Sequence, residues 1–193
     1  MLDEKDLKKM EEEIDRLRKL VYYDELTGLL NRRGFLHEAE REFNFVSNNT
    51  TTLERRTGFQ IPFSVIFLDL DNFKNINDRY GHDVGDEALK AIGKILNEQL
   101  RAGDMPGRLG GEEFVITLVG ANIERTKVIA EKLRVIIEAY ELRSGDRKIP
   151  LTASFGVAEY LGDEDNDVQA LIKRADDAMY KAKQEGKNRI VVA

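Results

Sequence analysis

The chain has 193 residues, 41% hydrophobic and 34% charged, a globular balance with room for one domain plus a short appendage, which excludes a disordered or fibrous chain. No apolar run approaches the roughly 20 residues of a membrane helix. There is no cysteine for a disulfide framework or a thiolate metal site, and the first residues are charged rather than arranged as a signal peptide, so cytoplasm is the expected compartment. With 36 acidic against 30 basic residues and a net charge of −6, broad attraction to nucleic acid is not expected, and a phosphate ligand has to be held by local groups or by metal.

Leu7, Met10, Ile14, Leu17 and Val21 are spaced by threes and fours among charged residues, which predicts a coiled-coil seam over residues 1–22. Pairing with a second chain is the expected use of that seam; the competing arrangement is an amphipathic helix laid on its own domain. Residues 23–193 form the remaining unit. Asp24 to Arg33 reads as a turn entering a helix that runs to about Phe45, with Asn31 as N-cap. Residues 47–62, rich in Ser, Asn and Thr and closed by Pro62, predict a long surface loop with at most a turn of helix near Leu53 to Arg56. The run Phe63 to Asp69 is almost entirely apolar and of strand length, the mark of a central strand covered on both faces. Helices follow near Phe73 to Arg79 and Asp86 to Leu100. A hairpin is expected at Arg108 to Thr117 around Gly110-Gly111, then a helix at Glu124 to Tyr140, a strand at Pro150 to Glu159, a helix at Val168 to Gln184 and a strand at Arg189 to Val192. Interleaved strands and helices give an α/β class, with a central mixed sheet of five strands flanked by helices.

Asp69 and Asp71 stand at the carboxyl end of the buried strand, where open α/β sheets gather ligands. Alternate residues share a face, so both acids can look into one site; solvated loop acids read the same way. Magnesium prefers a few carboxylates plus phosphate and water. In Gly110-Gly111-Glu112-Glu113-Phe114, two glycines permit a tight turn and a close ligand, and two adjacent like charges repel unless a cation is near.

These residues carry a resemblance. Gly110-Gly111-Glu112-Glu113-Phe114 is similar to the motif that names the GGDEF family of diguanylate cyclases, with Glu in place of the central Asp. Asp24-x-Leu26-Thr27-Gly28-Leu29-x-Asn31-Arg32-Arg33 resembles the family's opening motif. Asp69-x-Asp71-x-Phe73-Lys74-x-x-Asn77-Asp78, followed by Gly81-His82-x-x-Gly85-Asp86, resembles its substrate-binding stretch. Ser154 to Ala158 and the segment from Ala175 to Asn188 resemble its closing motifs. The fold this implies is a nucleotidyl cyclase, polymerase-palm-like sheet.

The resemblance implies an enzyme that joins two GTP into cyclic di-GMP across a homodimer. It implies that Asp69, the main-chain carbonyl of Leu70 and Glu112 hold two Mg2+ ions, with Mn2+ an alternative, and that Glu113 assists the metals or the attacking 3'-hydroxyl. Asn77 and Asp86 would read the guanine edge. Phe73, Lys74, His82, Lys183 and Lys187 complete the implied substrate contacts, although His82, just after Gly81, could equally cap or bond a neighbouring loop. Lys187 stands where the family often has Arg, which removes a bidentate grip. Arg101 and Asp104 have the spacing and the offset from the hairpin of a product-inhibition site; an intrachain salt bridge explains the pair equally well. The long 47–62 segment departs from the family's shorter connection. The rival reading is a module that binds GTP or cyclic di-GMP without turnover, and the intact hairpin acids stand against it.

Overall fold

All eight residues of Phe63–Leu70 (β2) are buried, so this strand must be covered on both faces, and the rest of the chain is arranged to do that. The computed structural model describes residues 4–57, 61–162 and 165–193. In chain order its elements are α1 (Glu4–Tyr22), β1 (Leu30–Asn31), α2 (Arg32–Thr57), β2, α3 (Phe73–Tyr80), α4 (His82–Gln99), β3 (Asp104–Gly110) and β4 (Glu113–Val119). There follow α5 (Ile123–Ala139), β5 (Leu142–Ser144), β6 (Arg147–Ile149), β7 (Ala153–Glu159), α6 (Val168–Gln184) and β8 (Ile190–Val192). The main sheet has six strands in the order β1-β3-β4-β2-β7-β8. It is mixed: β2 is antiparallel to β4 and β7, whereas β1 runs parallel to β3 and β8 parallel to β7.

Alternation along β2 sorts two cores. Phe63, Val65 and Phe67 pack with Phe35, Phe43 and Val46 of α2 and with Leu171, Ala175 and Met179 of α6. Ile66, Leu68 and Leu70 pack on the other face with residues of α3, α4 and α5, including Ile76, Leu89, Ile92, Leu96 and Leu133. Each such buried aliphatic side chain contributes about 1.5–3 kcal/mol, so the centre of the molecule is a rigid support for whatever projects from the end of β2. Asp69 continues the face that carries Phe67, toward α6.

Several expectations are met closely. The helix over Val168–Gln184 has the predicted bounds, with Asp167 Oδ1 capping it by accepting from Ala170 N at 2.8 Å. Asn31 caps α2, its Oδ1 accepting from Gly34 N at 2.9 Å.

Four others are corrected. The main sheet has six strands rather than five, because Leu30–Asn31 pairs with Gly107 and Arg108 as an edge strand too short to carry a periodic signal. The 47–62 segment is helix through Thr57, with residues 58–60 outside the described ones. A second, two-stranded sheet, β5–β6, turns at Gly145 between α5 and β7, where no strands were expected. Helix α4 begins at His82 rather than Asp86, with Gly81 as its cap residue.

Helix α1 keeps its apolar seam in solvent. Leu7, Met10, Ile14, Leu17 and Val21 are 40–51% exposed, so the seam is not spent on the helix's own domain. Its end is fixed instead by Asn31 Nδ2, which donates to the carbonyls of Val21 (3.0 Å) and Tyr23 (3.2 Å), and by Tyr22 stacked on His37 with ring centroids 5.6 Å apart. Among the described residues no helix is long and apolar enough to cross a membrane.

Candidate active site

Register brings the acids together. Asp69 on β2 lies directly opposite Glu113 on β4, and Leu70 N donates to the Glu112 carbonyl at 3.3 Å, so the turn before β4 closes over the end of β2. Directly opposed like charges are destabilising unless something compensates them. Burial pushes the Asp69 carboxyl up to about 6, and Glu112 and Glu113 push in the same direction against the opposing pull of Lys183. Burial also raises Glu113, with Asp176 and Glu112 adding to it. Lys183 Nζ lies 2.6 Å from Asp69 Oδ1, an ion pair that offsets part of this repulsion. Neighbouring carboxylates that raise one another suit a hard cation. Among the described residues no group of three or more His, Cys, Asp or Glu side chains is placed to hold a metal ion by itself. Two or three carboxylates of this kind are compatible with an ion that completes its shell from a ligand and water.

Asp71 does not share this site. Its carboxylate accepts from Ser154 Oγ (2.7 Å), Thr152 Oγ1 (2.8 Å) and Asn188 N (3.0 Å), so it ties β2 to β7 and to the turn after α6. The expectation that Asp69 and Asp71 look into one site is corrected: three hydrogen bonds commit Asp71 to a structural use.

The hairpin is braced from the opening segment. Gly110 and Gly111 have φ of +156° and +51°, and the register shifts between Arg108 and Gly110. Arg108 donates from Nε (3.0 Å) and Nη2 (2.8 Å) to the Gly111 carbonyl and from Nη1 to both Asp24 oxygens (3.0 and 3.1 Å). Asp24 Oδ1 also accepts from Thr27 N (2.9 Å) and Thr27 Oγ1 (2.6 Å). Burial alone would raise the Asp24 carboxyl, but bonds from Thr27 and Arg108 outweigh it and hold the group below the ordinary carboxylate range. Asp24 and Arg108 are 84 residues apart. Neither was assigned a role from sequence; the only local signal is an Arg two residues before paired glycines.

A second feature lies between α3 and α4. A Cβ on Gly85 would come within 1.9 Å of Asn77 Oδ1 and 3.3 Å of Phe73 Cζ, so the missing side chain is what lets Asn77 and Phe73 lie against α4. Phe73 is buried, Asn77 half-buried, and Asp86, beside Gly85, is exposed. Asn77, Phe73 and Asp86 are thus brought together where α3 packs on the start of α4. Lys74 is exposed on α3, and His82 is exposed as the first residue of α4, so capping there falls to Gly81.

After α6 the chain turns through Lys187 (φ +65°) and Asn188 (φ +45°), two consecutive left-handed residues. Lys187 Nζ reaches Asn72 Oδ1 at 2.5 Å, at the left-handed residue that enters α3. Of the three lysines, Lys183 pairs with Asp69 and Lys187 bonds Asn72, whereas Lys74 is exposed on α3.

Arg101 and Asp104 lie apart from these acids, at the start of β3. They pair with each other: Arg101 Nε to Asp104 Oδ1 is 2.9 Å, and Arg101 Nη2 also donates to the Val119 carbonyl at 2.5 Å. The salt-bridge reading of this pair is therefore realised. The pair also borders a depression of about 170 Å³ lined by Arg125 and Lys132 of α5.

Residues 21–189 match the model of the family described as "Diguanylate cyclase, GGDEF domain". The chain is 36% identical over 186 residues to Diguanylate cyclase DgcM of Escherichia coli strain K12, covering 96% of this chain and 41% of the relative. It is 35% identical over 180 residues to Response regulator PleD of Caulobacter vibrioides, covering 92% and 37%. The chain thus spans about two fifths of the length of these relatives. Among solved structures, the coiled coil and GGDEF domain of DgcB from Caulobacter crescentus in complex with c-di-GMP superposes with a TM-score of 0.85 at 24% identity, covering 97% of this chain and 93% of that one, a likeness of fold. The active GGEEF domain of a diguanylate cyclase from Vibrio cholerae gives a TM-score of 0.71 at 32% identity, covering 85% and 97%.

Proposed function

Since the chain belongs to the GGDEF family of diguanylate cyclases, we propose that it condenses two GTP into cyclic di-GMP, with release of two pyrophosphates, where two copies face each other. The observation that carries this reading is the placement of the acids at the hairpin: Asp69 lies opposite Glu113 in register, and Glu112 and Glu113 both raise the Asp69 carboxyl.

Asp69, Glu112 and the Leu70 carbonyl would hold two Mg2+ ions, and Mn2+ suits the same oxygens. When bound, such ions polarise the triphosphate and offset the charge that develops on the leaving pyrophosphate. Glu113, its carboxyl raised by burial, is suited to accept the proton of the attacking 3'-hydroxyl. Lys74, Lys183 and Lys187 offset phosphate charge. Asn77 and Asp86 read the guanine edge, a carboxylate accepting from the ring N–H and the exocyclic amine, above Phe73 and beside His82. Adenine lacks that donor pair, which leaves the pocket's polar groups unpaired. Residues 1–22 act as a coiled-coil extension of the 23–193 domain, its exposed seam pairing two copies so that each presents its GTP to the other. Arg101 and Asp104 bind product once their mutual pair opens. The module that binds without turnover fits less well, because a site for binding alone has no use for three mutually repelling carboxylates.

Gly85→Ala probes the guanine site. The new Cβ displaces the Asn77 side chain rather than a backbone, so the chain folds normally and the KM for GTP rises about tenfold, the loss of one buried polar contact. The proposal itself is tested by following pyrophosphate release with GTP and with ATP in magnesium. Release from GTP alone is expected; equal release from both, or from neither, overturns it.

A further inference from the structure

The turn that carries Lys187 is held from outside by α5. Arg134 Nη1 donates to Asn188 Oδ1 and to Glu138 Oε2, each at 2.9 Å, and Asn188 Nδ2 donates to Glu138 Oε1 at 2.8 Å. Arg134 is itself aimed by Glu131, which accepts from its Nε at 2.9 Å and its Nη2 at 2.8 Å. The Asn188 amide is thus fixed in orientation, its oxygen facing a donor and its nitrogen an acceptor. On the inner side, Asn188 N donates to Asp71 Oδ2 at 3.0 Å, and Asp71 stands two residues from Asp69. One residue, Asn188, therefore joins α5 to the end of β2.

This clamp has a physical reason. Two successive non-glycine residues in the left-handed region are disfavoured and persist only where their surroundings over-determine them. Asn tolerates that region better than Lys does, so fixing Asn188 from both sides also fixes Lys187. Backbone capping by Lys187 N to Ala182 O at 3.0 Å holds one end of the turn, and Arg134 with Glu138 holds the other.

We propose that Arg134 and Glu138 are positioning residues for nucleotide binding, setting the Lys187–Asn188 turn so that Lys187 reaches the phosphates. This rests on the reading of Lys187 as a phosphate contact. Among the described hydrogen bonds and ion pairs, Arg134 and Glu138 meet only Glu131, Asn188 and each other, so their effect passes through Asn188.

The test is a double-mutant cycle in the whole chain, read as KM and kcat for GTP from pyrophosphate release. Hydrogen exchange of the segment 186–189 and the thermal midpoint are measured beside it. Arg134→Met keeps the aliphatic stem and removes the clamp; it is expected to raise KM about fivefold, hold kcat within about twofold and speed exchange in 186–189. Arg134→Lys recovers part of the loss, because an ammonium meets one partner at a time and not the planar fork. Lys187→Ala raises KM by itself, and adding Arg134→Met to it raises KM no further. If Lys187→Ala raises KM but Arg134→Met changes neither KM nor exchange, the positioning role is overturned and the phosphate contact stands. If Lys187→Ala leaves KM unchanged, the phosphate contact falls and the inference falls with it. A lower midpoint with unchanged KM in Arg134→Met assigns the clamp to stability alone, and a fully additive cycle likewise overturns the coupling.

Discussion

Glu112→Gln is expected to lower the rate of cyclic di-GMP formation by about 1,000-fold while leaving the fold intact. The side chain keeps its size and one acceptor oxygen but loses the charge that, beside Asp69, makes the pocket anionic. Losing several kcal/mol of stabilisation at a charged transition state gives a fall of that size. Removing one of three like charges also relieves the repulsion acting on Asp69 and Glu113, for both of which Glu112 raises the carboxyl. The thermal midpoint is therefore expected to hold or rise. Product resolved by chromatography, with a melting curve on the same preparation, checks both halves. Wild-type turnover in the variant would remove Glu112 from the site.

Asp69→Asn separates function from stability more sharply. The folded Asp69 carboxyl sits near 6, above its ordinary value of 3.8, so the native state binds this proton more tightly than the unfolded chain does. Stability from this group is fully present below about pH 4 and is lost as the pH rises through about 6. Above pH 6 the parent carries a poorly solvated charge that the amide does not. The pull of Lys183 on the ionised carboxyl is already contained in the value of about 6. A net gain of about 1 kcal/mol is expected at pH 8, a rise of about 3 °C in Tm, vanishing near pH 4. Catalysis falls to background at every pH. A destabilised variant at pH 8 would show that the Lys183 pair outweighs burial.

Much of this was legible because its causes are local. The apolar run of β2, the glycine turn of the hairpin and the capped, periodic α6 each carry their signal within a few residues, and the chain around Glu112 declares its chemistry by adjacent charge. What could not be read is long-range or non-periodic. Asp71 looked like a second site acid until its three donors, Thr152, Ser154 and Asn188, were placed 81, 83 and 117 residues away. The Asp24–Arg108 brace and the Arg134–Asn188 clamp span comparable distances in sequence. Helix α2 outran its prediction for a different reason: Thr50, Thr51 and Thr52 are weak helix formers. The helix is nucleated by the buried stretch through Val46, so adding residues costs little. The β5–β6 hairpin has three residues per strand, too few for alternation to show.

The most direct test of the account is the product itself: the purified chain with GTP and magnesium, with cyclic di-GMP and pyrophosphate quantified together across a range of protein concentrations. Cyclic di-GMP with two pyrophosphates per molecule formed is expected, with a specific activity that rises with concentration as chains pair. GTP bound but unchanged at concentrations where the chain is dimeric would contradict it.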